Sequence, residues 1–328
     1  MSFILRRLVF YAVAAWVALT INFFIPRAIP GNAVQSMMAK FPNLQPSAYK
    51  ALEALLGVGH PGSIWHQYVT YLDDIFHFNF GTDVSQYPAQ VSSLLVQTLP
   101  WTITLVGVAT VIAFLIGTAL GIVAGWRHGG TLDRVLPGLM FLQAIPYFFF
   151  ALILVELLAI KTQVFPSGQG YADGLIPGWH WDFISSALYH SVLPALTIVL
   201  TSIAGWMLQM RNVMITTVGE DYVIAAQAKG LPNRRIIYTY AARNALLPQL
   251  QGFGLAVGFV VSGAIVMEIV FGYPGIGLLL LNAVTSKDYP LMQAIFLVIT
   301  FAVLLANLVV DMIIVVADPR ARRMEATS

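Results

Sequence analysis

Along the 328 residues, long uncharged apolar runs alternate with short polar stretches. The runs extend from Leu8 to Pro26, Leu99 to Trp126, Val135 to Ile160, Ala187 to Met210, Ala245 to Phe271 and Tyr289 to Ala317. As a helix, each is long enough to cross the ~30 Å hydrocarbon layer of a bilayer. The pattern predicts an all-α polytopic membrane protein with six transmembrane helices. The first run invites comparison with a signal peptide, but its apolar core exceeds a normal h-region and Arg27 to Asn32 is a weak cleavage context, so a retained helix is expected.

Between the fourth and fifth runs lies the most polar ordered stretch, Glu220 to Pro248. Glu220 and Asp221 suit the first turn of a short helix, Ala225, Ala226 and Ala228 fill its middle, and Lys229 closes it. Gly230 supplies a left-handed cap. Pro232 suits the first position of a second helix, whose Ile236, Ile237, Tyr240, Asn244 and Leu247 share one face while Arg234, Arg235 and Arg243 lie largely off it. Two helices joined by a tight Gly turn and rimmed by cations read as a docking element.

Charge distribution orients the chain. Of 17 Lys and Arg, those at 6, 7, 127, 134, 211, 229, 234, 235, 243, 320, 322 and 323 fall on one side of the alternating spans, the side with the shorter loops. By the positive-inside rule that side is cytoplasmic, with both termini and the 220–248 element. Residues 1–26 are then the N-terminus and first helix, 27–98 an outer loop, 99–317 a five-helix core and 318–328 a tail. The outer loop should fold: Ser47 and Ser63 precede helix-like stretches, and Tyr49, Trp65, Tyr68, Tyr71, Phe76, Phe78 and Phe80 can pack it. A second outer loop, Lys161 to Ser186, is rich in Gly, Pro and Trp and reads as interfacial.

Composition narrows the chemistry. At 58% hydrophobic and 10% charged, the chain is far from a soluble domain. A net charge of +2 gives no reason to expect nucleic acid, and with no cysteine, disulfides and thiolate metal sites are excluded. His60, His66 and His77 share the first outer loop, but no pair has the i, i+4 spacing of a helical metal site, and they read as surface residues. There is no P-loop, nucleophile elbow or zincin motif, so the chain reads as having no nucleotide site or cofactor of its own.

Asp221-Tyr222-Val223, then Ala226, Ala228, Lys229, Gly230 and Leu231, and finally Arg243 to Pro248 resemble the EAA loop of ABC importer permeases, in particular the dipeptide, oligopeptide and nickel branch. Phe80-Gly81, Pro88 and Leu99-Pro100 resemble the branch's first outer loop, and Asp311 with Asp318-Pro319-Arg320 its C-terminus. Glu268, Phe271, Pro274, Gly275 and Gly277 match its E-x-x-F-x-x-P-G-x-G signature, which in the family lies near the outer end of the translocation path. The Pro and three Gly of this segment should make a sharp turn.

The resemblance covers nearly the whole chain and implies a type I ABC importer permease fold in the cell membrane. It also implies partners: two ABC ATPase subunits that use ATP and Mg and dock on the EAA loop, a second homologous permease, and an extracytoplasmic solute-binding protein. Asp221, Tyr222, Ala225, Ala226, Lys229, Gly230, Leu231, Arg234 and Arg235 would form the docking surface, with Lys229, Arg234 and Arg235 facing the ATPase or lipid phosphates. Peptides are the first solute implied, oligosaccharides and nickel the alternatives. The rival class is an ion-coupled secondary transporter or channel using Glu268 and Asp311, with Glu156 read as an outer-interface acid.

Glycine rows at Gly117, Gly121 and Gly125, and at Gly254 and Gly258, allow close helix approach, within the chain or between two permease subunits. Pro100, Pro137, Pro146, Pro194 and Pro248 would bend or end helices.

Overall fold

A computed structural model describes residues 3–28, 63–83, 88–258 and 265–317, together with Gln86 and Val260. The described residues are almost entirely helical: α1 (Phe3–Ala28), α2 (Ile64–Phe76), α3 (Val91–Trp126), α4 (Thr131–Ala144), α5 (Tyr147–Leu154, continued by wide π turns over Val155–Lys161), α6 (Trp181–Val218), α7 (Asp221–Ala228), α8 (Ala242–Gly258), α9 (Ile265–Val270), α10 (Ile276–Ser286) and α11 (Tyr289–Ala317). Asn233–Arg235 form a single turn that leads through π turns, Ile236–Ala241, into α8. Helix is the expected outcome, because a backbone surrounded by lipid must satisfy its hydrogen bonds within its own segment.

Among the described residues four helices are long and apolar enough to span a membrane, α1, α3, α6 and α11, and a fifth span results if α4 and α5 count as one. That pair corrects the expected continuous run from Val135 to Ile160: it bends by 95°. Pro146 lacks an amide hydrogen and disfavours helical backbone in the residue before it, and Ile145 is accordingly extended, with ψ 126°. Pro100, Pro137, Pro194 and Pro248 lie inside helices instead. The run from Ala245 to Phe271 crosses residues 259 and 261–264, which lie outside the described set, as do Ser47, Tyr49, His60 and the 318–328 tail.

The chain divides into two compact units. One comprises Met1–Thr102 and Pro274–Leu305. Here α2 is capped by Ser63, whose hydroxyl accepts from His66 N–H, as the sequence suggested. Phe23, fully buried, meets the rings of Tyr68 at 5.2 Å and Tyr71 at 5.5 Å and so seats α2 on α1, whereas Trp65, Phe76 and Phe78, also expected to pack, are exposed because they lie off the face of α2 turned to α1. Asn22 Nδ2 donates to Tyr71 Oη at 3.0 Å and to the Gln293 carbonyl at 2.8 Å, joining α1, α2 and α11. A cavity of about 260 Å³ beside them is lined by Arg27, Tyr71, Asp74, Asn79 and Gln293 among others. Burial pushes the Tyr71 phenol up to about 12.

The other unit comprises Ile103–Tyr273 and Ala306–Ser328. Its centre is the contact of α3 with α6. A Cβ at Gly117 would stand 2.6 Å from Trp206 Cβ, one at Gly121 2.6 Å from the Met207 carbonyl, and one at Gly125 would collide with Met214. This glycine row therefore serves packing within the chain. Gln249 of α8 is fully buried, and its Nε2 donates to Thr118 Oγ1 of α3 at 3.2 Å and to the Trp206 carbonyl of α6 at 3.0 Å. Three helices are thus pinned at one point.

Candidate functional site

The stretch after α6 folds as a short helix held on one side and open on the other. Val223 and Ala226 are buried with Ile122, Met210, Met214, Ile236, Ala241, Ala242 and Ala245. Asp221, Tyr222, Ala225, Lys229 and Gly230 are exposed, as are Arg234 and Arg235. Three-residue spacing places Val223 and Ala226 on one face of α7, and the remaining positions point away. Ala226, expected on the docking surface, is instead part of the anchor.

The turn that ends α7 is a Schellman motif. Gly230 N–H donates to the Gln227 carbonyl at 2.9 Å, and Leu231 N–H to the Ala226 carbonyl at 3.4 Å. Gly230 has φ +69° with open space around its Cα, so the backbone conformation, not a close neighbour, requires glycine. Leu231 folds back onto the same core as Ala226.

The following segment departs from expectation in two ways. Pro232 is the cap before the helical turn, with ψ 139°, and helix begins at Asn233. The π turns over Ile236–Ala241 then shift the register, so that Ile236, Ala241, Ala242, Ala245 and Gln249 are buried while Asn244 and Leu247 are exposed. An i→i+5 turn accommodates extra residues and rotates everything beyond it. Sequence periodicity built on 3.6 residues misplaces that face.

The Glu268 segment forms a second constellation. Glu268 is 1% exposed on α9, and its carbonyl accepts from Tyr273 N–H at 2.8 Å. Gly272 takes φ +55° in the sharp turn. The turn is held from the Lys161 to Ser186 loop, whose Gln169 N–H donates to the buried Phe271 carbonyl at 2.7 Å while Gly168 lies against the same carbonyl. Tyr273 Oη meets Ser191 Oγ of α6 at 2.9 Å. Beyond the turn, Pro274 is half-buried, Gly275 caps α10, and Gly277 is buried within its first turn. The expected turn is therefore shorter than its glycines suggested, since helix resumes at Ile276. Ile276 N–H is satisfied by Thr102 Oγ1 at 2.9 Å.

The two constellations are not brought together. The α7 anchor packs on Met210 and Met214 of α6, whereas the Glu268 turn meets Ser191, 19 residues or roughly 28 Å away along that helix. Glu156 is exposed beside Lys161 at 3.6 Å, and Asp311 is half-buried on α11.

Sequence reading missed a polar cluster near the anchor. Arg211 of α6 hydrogen-bonds Asp133 of α4 through Nε and again through Nη2 at 3.1 Å, and Asp133 Oδ2 also accepts from Gly129 N–H at 2.9 Å and meets His128 Nδ1 at 2.8 Å. Arg211 had been counted only as a topology charge. Asp133 in the first turn of a helix, beside the Gly129-Gly130 pair, was the available signal. Among the described residues no group of three or more His, Cys, Asp or Glu converges to hold a metal ion.

A family model described as binding-protein-dependent transport system inner membrane component matches residues 117–323, which include the α7 element and the Glu268 turn. The chain belongs to this family. Among its relatives, the dipeptide transport system permease protein DppB of Escherichia coli (strain K12) is 31% identical over 98% of this chain and 99% of its own. The di/tripeptide transport system permease protein DppB of Pseudomonas aeruginosa is 30% identical over the same shares, 98% and 99%. The oligopeptide transport system permease protein AppB of Bacillus subtilis (strain 168) is 29% identical over 92% of each chain. Membership makes this a multi-pass inner-membrane permease subunit of an ABC importer.

Proposed function

We propose that this chain forms half of the translocation pore of a peptide importer, crossing the membrane six times with both termini in the cytoplasm. Peptides are the solute because the relatives that align over nearly the whole chain are named for dipeptides, di/tripeptides and oligopeptides. A second homologous permease completes the pore, an extracytoplasmic binding protein delivers the solute, and two ATPase subunits supply energy from ATP and Mg.

The observation that carries the coupling role is the two-sided construction of α7. Val223 and Ala226 are locked into the core at 0% and 3% exposure, while Tyr222 and Ile224 project at 39% and 50%. A helix fixed at its root moves as a body with the end of α6, so a force applied by an ATPase to Tyr222, Ala225, Lys229 and Gly230 reaches the spans directly. Arg234 and Arg235 extend the cationic rim toward an ATPase surface or lipid phosphates. Glu268, Phe271, Pro274, Gly275 and Gly277 lie at the outer end of the path.

The absence of native cysteine permits a clean test. Tyr222→Cys in the assembled transporter should cross-link through a short thiol-to-amine reagent to an ATPase subunit, with yield that changes when ATP is bound. Cross-linking only to lipid or to a second copy of this chain would remove the coupling assignment. Uptake of labelled di- and tripeptides, but not oligosaccharides or nickel, by the purified complex would establish the solute.

A further inference from the structure

Two glutamines lie across glycines of a neighbouring helix and yet remain exposed. Gln143, near the end of α4, lays its side chain over Gly205 of α6: its Nε2 is 2.9 Å from where a Gly205 Cβ would stand. Gln209, one turn further along α6, lies over Gly252 of α8, with Nε2 3.1 Å from that glycine's Cβ position. Gly205 and Gln209 are i, i+4 and share a face. Both residues are exposed, and neither hydrogen-bonds a protein group among the described residues. Ser202, Asn212 and Thr216 continue the same polar or small row at helical spacing.

Lipid is the wrong neighbour for this row. An amide turned to hydrocarbon without a partner costs several kcal/mol, whereas α6 shows lipid-compatible side chains elsewhere, with Leu188 62% and Val192 39% exposed. The backbone adds an independent sign. Directly after Gln143 the α4 to α5 run breaks through 95°, and interrupted helices at membrane depth are found where protein or a water-filled cavity, rather than lipid, surrounds them. Glycine at 205 and at 252 leaves room beneath the two amides.

We propose that Gln143 and Gln209 form a recognition strip for the backbone amides of a peptide in transit. A primary amide presents an N–H donor and a carbonyl acceptor together, the complement of a peptide bond, and it is indifferent to the side chain carried. Neither glutamine bears a charge, so the strip guides acidic, basic and neutral peptides alike without holding them. This inference rests on the peptide reading above, and it adds to it which residues meet the solute and which solute atoms they meet.

The test uses the purified transporter with its partner subunits in proteoliposomes and saturating binding protein. It compares a labelled tripeptide with its backbone N-methylated counterpart, both preloaded. In the unaltered complex, N-methylation should slow uptake about five- to tenfold, the loss of one or two hydrogen bonds. In the Gln143→Leu, Gln209→Leu double variant, uptake of the parent peptide should fall by a similar factor and the two peptides should become equal, while subunit content stays unchanged. Gln→Asn replacements should restore part of the discrimination. If the variant still discriminates, or if it loses the second permease from the complex, the strip is not a solute site, the latter marking a subunit contact. If the unaltered complex takes up no peptide at all, the peptide reading itself fails, a result distinguishable from either.

Discussion

Leu231 donates its N–H back to the Ala226 carbonyl at 3.4 Å, across Gly230 in left-handed backbone at φ +69°. This closure sets the exposed face of α7 at a fixed angle to the core. Replacing Gly230 with Val places a β-branched residue where left-handed backbone costs roughly 1–2 kcal/mol. Since no atom lies within 4 Å of the Cβ position, strain rather than collision is the cause. Gly230→Val should therefore reduce ATPase recovery with the permease, whereas Gly230→Asn, which tolerates this conformation, should retain most of it. Equal loss in both variants would show that Gly230 itself contacts the ATPase.

The α3 to α6 contact predicts a sharper structural response. Gly121→Val forces a side chain against the Met207 carbonyl and Met210, both backbone-proximal and unable to swing away. Separation of the helices should cost several kcal/mol and abolish a monodisperse peak in size-exclusion chromatography. Gly107→Ala, at a helical position where a Cβ meets nothing within 4 Å, should leave the protein as stable or raise its midpoint slightly.

Arg211 and Asp133 tie α6 to α4 with two hydrogen bonds, their side chains 17% and 10% exposed. Arg211→Gln should lower the thermal midpoint, because it strands the carboxylate without its charge-assisted partner. Adding Asp133→Asn should return part of that loss. A double-mutant cycle on thermal midpoints measures the coupling, and strictly additive losses would show that the pair is energetically inert.

Tyr71 gives a pH dependence. Its phenol ionises at about 12 when folded, against about 10 when unfolded, because burial disfavours the phenolate. The folded state therefore binds the proton more tightly, so its stabilising contribution is whole below pH ~10 and is lost as pH rises through about 12. Ultraviolet titration of phenolate should show one late-titrating phenol fewer in Tyr71→Phe than in the unaltered protein, and the variant should lose stability less steeply across that interval.

The sequence carried the membrane class, the left-handed cap at Gly230 and, of the aromatics expected to pack the outer loop, Tyr68 and Tyr71, because each rests on local patterning or on one residue's backbone preference. It missed features that depend on distant chain. The face of the segment after Gly230 was misplaced because π turns at Ile236–Ala241 break the 3.6 period. Ala226 reads as a small surface residue until Met210, Met214 and Ile236 are seen to enclose it with Val223. The Asp133 to Arg211 pair joins residues 78 apart, a separation that no periodicity reports. Gly277 reads as part of a turn because glycine disfavours helix by about 1 kcal/mol, but it is buried within the first turn of α10.

The central claim is that the exposed face of α7 is where ATP-derived force enters. Its most direct test is thiol cross-linking of the otherwise cysteine-free chain carrying Tyr222→Cys, in the native complex, with and without ATP. The account predicts a nucleotide-dependent adduct with a Walker-motif ATPase, and none from a cysteine placed at exposed Leu188 on α6. An adduct of equal yield from both positions, or uptake that proceeds undiminished after every ATPase subunit has been stripped away, would contradict it.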